Sequence, residues 1–155
     1  GQPGEKAGVF REEKDILGSI AKNTHFGIYG KLKNIGKCAT PYPDPIPLGL
    51  SFEVESGPAE MLTVVGGNKI QNFRLEIERV LSQNKPVDKG IVIRVVDENL
   101  LSKTGGIVQG MSGSPIIQNG KLVGAVTHVF INDPTRGYGI FAEWMVKEME
   151  LLPVS

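Results

Sequence analysis

Residues 110–115 read Gly-Met-Ser-Gly-Ser-Pro, a set of residue types that can present a serine hydroxyl as a nucleophile. A serine that attacks a carbonyl must sit on a tight turn with its oxygen exposed. Backbone N–H groups beside it must converge on the oxygen that becomes negative. Glycines on both sides permit dihedrals that other residues avoid, and let a second chain approach closely. Pro115 fixes the exit from the turn. Ser112 is therefore the candidate nucleophile, and the N–H groups of Gly110 and Ser112 are the candidate oxyanion donors. The same six residues are also ordinary turn formers, so what surrounds them decides.

After Pro115 come Ile116-Ile117-Gln118, then Asn119-Gly120, then the run from Lys121 to Val129. Asn-Gly between two apolar runs predicts a β-hairpin, which places the serine just ahead of it. Tyr138 to Phe141 reads as a further strand. Phe141, Trp144, Met145, Glu148, Met149 and Leu152 fall near helical spacing and predict a C-terminal helix. The motif Gly110 to Pro115 resembles the nucleophile loop of chymotrypsin-like serine proteases, and Leu122 to Thr127 resembles the strand that follows it. That likeness implies a strand that ends beside the active site and pairs with the substrate backbone, through Thr127, His128 and Val129.

The runs Thr104 to Lys121 and Gly124 to Phe130, followed by Asn132-Asp133-Pro134-Thr135 and Gly137-Tyr138-Gly139, are more specific. They resemble the peptidase family of the stage IV sporulation protein B, serine peptidases of endospore-forming bacteria. The likeness is dense from about residue 87 to 147. It continues more loosely through Gly27 to Gly30, the Pro41-to-Pro47 stretch and Gly57-Pro58-Ala59. It implies a serine endopeptidase that cleaves itself and a membrane-associated regulatory protein, in the space between the two membranes of a sporulating cell, with no metal or organic cofactor. The family serine falls on Ser112 and the family aspartate on Asp97. Asp97-Glu98-Asn99-Leu100-Leu101 reads equally well as an N-cap opening a helical turn.

The general base is the point of departure. The family histidine belongs to a Gly-x-Leu-Gly-His motif, and these 155 residues contain no such motif. The two histidines present are His25, in the alternating segment Asn23 to Gly27 that reads as a strand, and His128, which reads as a cleft-lining or plain surface residue. The expectation is a catalytically incomplete portion of a longer peptidase. A membrane-spanning segment, a PDZ domain and the histidine segment would precede it. Its partners would be a protein substrate, its own N-terminal piece or a PDZ domain, and a second copy of itself.

Seventeen basic and seventeen acidic residues cancel, leaving no basic stripe of the kind nucleic acid requires. Twenty glycines and ten prolines, spread along the chain, predict many turns and a single domain over 1–155. The fold expected is mainly β, a chymotrypsin-like β-barrel lacking its first strands, with a short C-terminal helix. Cys38 is the one cysteine, so no internal disulfide exists, and it reads as a structural thiol. Two separate histidines and one cysteine lack metal-ligand spacing. Strands are expected at Ala7 to Phe10, Asp15 to Lys22, Phe26 to Leu32, Leu48 to Glu55, Ala59 to Val65, Ile70 to Val80 and Ile91 to Val96. Gly66-Gly67-Asn68 should be a hairpin turn, Ala39 to Pro47 an extended proline-rich loop, and Asn132 to Gly137 a polar loop near the cleft.

Overall fold

The computed structural model describes residues 18–33, 41–67, 69–83 and 85–150. The expected strand at Ala7 to Phe10, and Cys38, lie outside the described residues. Two sheets are present. The larger is a closed antiparallel barrel in the order β3-β4-β5-β8-β7-β6. Its strands are β3 (Gly57–Val64), β4 (Ile70–Val80), β5 (Ile91–Val95), β6 (Pro115–Gln118), β7 (Lys121–Phe130) and β8 (Asp133–Phe141). The barrel seals itself where β3 meets β6, Met61 opposite Ile116.

Period-two patterning accounts for the interior. Ala59, Met61 and Thr63 of β3 point inward and are buried. They are matched by Phe73, Leu75 and Ile77 of β4, as the alternation predicts. A bulge between Ile77 and Arg79 adds one residue and changes the strand's phase. Val80 thereby comes back to the inner side and packs against the core. β5 is an apolar run with Ile91 and Ile93 fully enclosed. Gly66 and Gly67 in the β3–β4 turn have φ of 102° and 65°, which only glycine adopts freely.

The Leu48-to-Glu55 strand is corrected. That segment makes a 3-10 turn over Ser51–Glu53, because the Glu53 carboxylate accepts the Leu50 N–H at 2.8 Å and closes the turn locally. Phe52, read as a strand residue, is 82 % exposed. Asn132 to Gly137 is corrected too. Only residues 131–132 turn, and β8 starts at Asp133. Pairing of Arg136 with Arg94 in β5 extends the strand through turn-type residues.

α2 (Ala142–Glu150) leaves β8 directly. Trp144 meets Phe141 edge-to-face, ring centroids 6.3 Å apart, and its indole N–H donates to Gln83 Oε1 at 2.9 Å. Trp144→Phe should cost about 1–2 kcal/mol from lost volume and the unmade hydrogen bond. The check is a lower urea midpoint at an unchanged m-value.

β1 (Gly18–Thr24) and β2 (Gly27–Leu32) form a two-stranded sheet outside the barrel. An isolated hairpin is marginal in water. This one leans on α2, through a Lys22–Glu148 ion pair and through Gly27 and the buried Tyr29 on the Met145 side. Ile20, Ile28 and Leu32 are exposed. His25 sits in the β1–β2 turn rather than on a strand.

Candidate active site: the 105–115 loop

The loop that carries Ser112 is built from α1 (Glu98–Thr104) onward. Asp97 caps that helix, its Oδ1 accepting N–H groups from Asn99 at 3.0 Å and Leu100 at 3.1 Å. Gly105 stops the helix in the left-handed region, φ 73°, and its N–H donates to the Leu101 carbonyl at 2.8 Å, a common C-terminal device. The chain then lies against β8. Ile107 N–H donates to the Pro134 carbonyl at 2.7 Å, and Gly106, φ 140°, packs its α-carbon onto that same carbonyl.

Two overlapping turns follow. Met111 N–H donates to Val108 O at 3.1 Å, and Ser114 N–H donates to Met111 O at 3.0 Å. The Met111 side chain is buried and anchors the loop from beneath. Gly110 and Gly113 have φ of 98° and 88°, so the serine stands between two residues in a region open chiefly to glycine. The loop is tied to β7 by a reciprocal pair: Gly113 N–H to Val126 O at 2.7 Å, and Val126 N–H to Ser114 O at 2.9 Å.

Ser112 is exposed. Its hydroxyl donates to the Thr127 carbonyl at 3.3 Å. Sequence gave no signal for this partner, since it depends on how β7 lies beside the loop. Among the described residues, nothing accepts the N–H of Gly110 or of Ser112. An exposed hydroxyl beside two unclaimed N–H groups is an arrangement that can hold an oxyanion.

β6 pairs with β7 only as far as Ala125. Beyond it the same edge of β7, from Thr127 to Phe130, has no strand beside it among the described residues. Thr127 is fixed by its own hydroxyl, which lies 3.1 Å from Asp88 O and 3.2 Å from Tyr138 O. His128 and Val129 are exposed. They border a hollow of about 640 Å³ completed by Lys89, Asp133, Arg136 and Tyr138.

The structure does not bring every candidate together. Neither histidine is hydrogen-bonded to Ser112: His25 is in the turn that docks on α2, and His128 lines the hollow. Asp97 is at the same end of the barrel as Ser112 but across it. It follows β5 and bonds β4, whereas Ser112 precedes β6 and bonds β7. Its second oxygen accepts the Arg74 N–H at 3.2 Å, with the Arg74 guanidinium 3.8 Å away. Burial pushes this carboxyl up. The backbone N–H groups of Arg74, Leu100 and Asn99 and the Arg74 charge outweigh that and hold it below the usual aspartate value.

Among the described residues, no group of three or more His, Cys, Asp or Glu side chains could hold a metal ion, and no helix is long and apolar enough to cross a membrane. No curated protein matches the chain. Among solved structures, the active form of the Rv3671c protease from M. tuberculosis aligns with a TM-score of 0.50 at 16 % identity, over 89 % of this chain and 61 % of that one. An inactive form aligns at 0.49 and 16 %, over 88 % and 67 %. At that identity the likeness is one of fold, and the fold is chymotrypsin-like. The family model for the SpoIVB peptidase S55 matches residues 1–146: the chain belongs to that family of serine peptidases.

Proposed function

We propose that the chain carries the nucleophile half of a serine endopeptidase site working by acyl transfer. The observation that carries this reading is the exposed Ser112 hydroxyl between Gly110 and Gly113, next to the unclaimed N–H groups of Gly110 and Ser112. In the proposed reaction Ser112 Oγ attacks the scissile carbonyl. The two N–H groups receive the oxyanion, each contributing about 2.7–4 kcal/mol to the barrier reduction. The substrate segment ahead of the scissile bond adds as a strand along the free edge of β7 at Thr127, His128 and Val129.

The proton of Ser112 needs a base; family resemblance suggests the histidine of a Gly-x-Leu-Gly-His motif for that role, and Ser112 is hydrogen-bonded to neither His25 nor His128. For Asp97, family resemblance suggests the acid that orients that histidine. Its three backbone hydrogen bonds favour a positioning role instead: it holds α1, and through α1 the approach to the loop. Membership of the family supports, at the finer level, a sporulation peptidase acting outside the cytoplasm on itself and on a membrane-associated regulator.

The experiment is covalent labelling with a fluorophosphonate probe, mapped by mass spectrometry. It compares this chain, a longer chain that restores the histidine motif, and Ser112→Ala versions of both. Labelling of Ser112 in the longer chain alone is the expected result. Labelling of the short chain would identify a base within it and make His128 the next residue to replace. No labelling of either would overturn the peptidase reading.

A further inference from the structure

On the side of Ser112 away from β7, the strands part. β3 pairs with β6 only at Glu60 and Met61. Past that point the chain ahead of Pro115 bends away into the nucleophile loop, and Pro115 has no N–H with which to continue a ladder. β3 and β4 keep pairing with each other out to Val64 and Ile70. The result is a groove of about 560 Å³, open to solvent.

One wall is the outer face of the β3–β4 tip. Met61 and Thr63 point into the barrel, so Leu62 and Val64 alternate outward, with Ile70 opposite Val64. The other wall is the nucleophile loop itself, Gly110, Gly113, Ser114 and Pro115, with the buried Thr63 between the two walls. No lining residue is charged, although 22 % of the chain is. Val64 stays 45 % exposed, which is costly for an aliphatic side chain unless something covers it.

We propose that this groove is the subsite for the leaving side of the substrate: it takes an apolar side chain from one of the first two residues after the scissile bond. The inference rests on the peptidase reading. A peptide that straddles Ser112, with its acyl side along β7, must leave toward β3 and β4, since β6 and its loop stand between those two elements. The groove begins at Gly110, the candidate oxyanion donor, so the emerging chain meets it at once. Three aliphatic side chains and no charge select leucine-like residues over acidic ones. Leu62, Val64 and Ile70 thus become specificity determinants of a site whose chemistry lies elsewhere.

The test uses the 155-residue chain carrying Ser112→Ala, isotope-labelled on methyls and amides. It is titrated with two pentapeptide amides, Ala-Xaa-Ala-Gly-Gly, with Leu or Glu at Xaa. The leucine peptide should shift the Val64 and Ile70 methyls together with the Gly110 and Gly113 amides, and bind about tenfold more tightly than the glutamate peptide. Val64→Asp, at an exposed position, should erase that preference while leaving the urea unfolding midpoint close to that of the parent chain. Equal binding of the two peptides, or shifts confined to the loop amides, would overturn the subsite. Because the titration needs no turnover, its outcome is separate from fluorophosphonate labelling. Shifts without labelling in any chain would retire the peptidase reading and with it the subsite. Labelling without shifts would retire the subsite alone.

Discussion

Gly106→Ala should lower the unfolding free energy by about 3–4 kcal/mol and remove most of the reactivity of Ser112. A β-carbon at this position would overlap the Pro134 carbonyl oxygen and lie 2.5 Å from its carbon. Both are backbone atoms, held because the same oxygen accepts the Ile107 N–H. The φ of 140° adds strain for any residue with a side chain. The loop would have to lift off β8, and Ser112, Gly110 and the turns around them would lift with it. Gly105→Ala is the control. Its φ of 73° carries strain, but a β-carbon there meets nothing within 4 Å, so it should cost only about 1 kcal/mol. Urea unfolding of the two variants, beside their fluorophosphonate labelling rates in the longer chain that carries the histidine motif, reads both effects. Equal losses would show that the Pro134 contact does not hold the loop.

Asp97→Ala should cost about 1–3 kcal/mol, because it removes a helix cap and leaves the Arg74 N–H without its acceptor at a half-buried position. Asp97→Asn should cost about half as much: an amide oxygen can still cap α1, while its NH2 faces the Arg74 N–H donor. The carboxyl of Asp97 is held below its ordinary value in the folded chain, so its contribution to stability is full above the unfolded value of about 3.9. That contribution is lost as pH falls through the lower, folded value. Wild type should therefore lose stability below about pH 4 more steeply than Asp97→Asn. The two roles separate in kinetics. A positioning role predicts that Asp97→Asn in the longer chain, well below its melting temperature, labels within about tenfold of the longer wild-type chain. An acid that orients the base would lose about 10⁴-fold.

The parts of the molecule legible in the sequence are those where local pattern and tertiary packing ask for the same thing. β4 matches its alternation from Phe73 to Ile77, up to the bulge, and Asn119-Gly120 makes the turn it predicts, with Asn119 at φ 51° and Gly120 at 72°. Failures come where a single distant or local bond outvotes the pattern. Leu48, Leu50, Phe52 and Val54 alternate like a strand, but the Glu53 carboxylate folds them into a turn. Asn132 to Gly137 has the composition of a loop, yet from Asp133 onward it is strand, with Arg136 and Gly137 laddered to β5. At the site, the turn that exposes Ser112 between Gly110 and Gly113 was legible because glycine spacing is a backbone requirement. The Thr127 carbonyl, the outward face of β3 and the choice between two roles for Asp97 depend on register and topology, which no short motif records.

Barrel closure has a kinetic consequence. The seam between Met61 and Ile116 joins positions far apart in the chain, and such a junction forms late, because a long loop must be closed before it gains any contact. The nucleophile loop lies immediately ahead of that seam. Until it closes, the loop that carries Ser112 lacks the frame that holds it between β6 and β7. On the proposed function, closing the barrel and assembling the nucleophile site become the same event, so an unfinished chain would have no ordered site with which to cut.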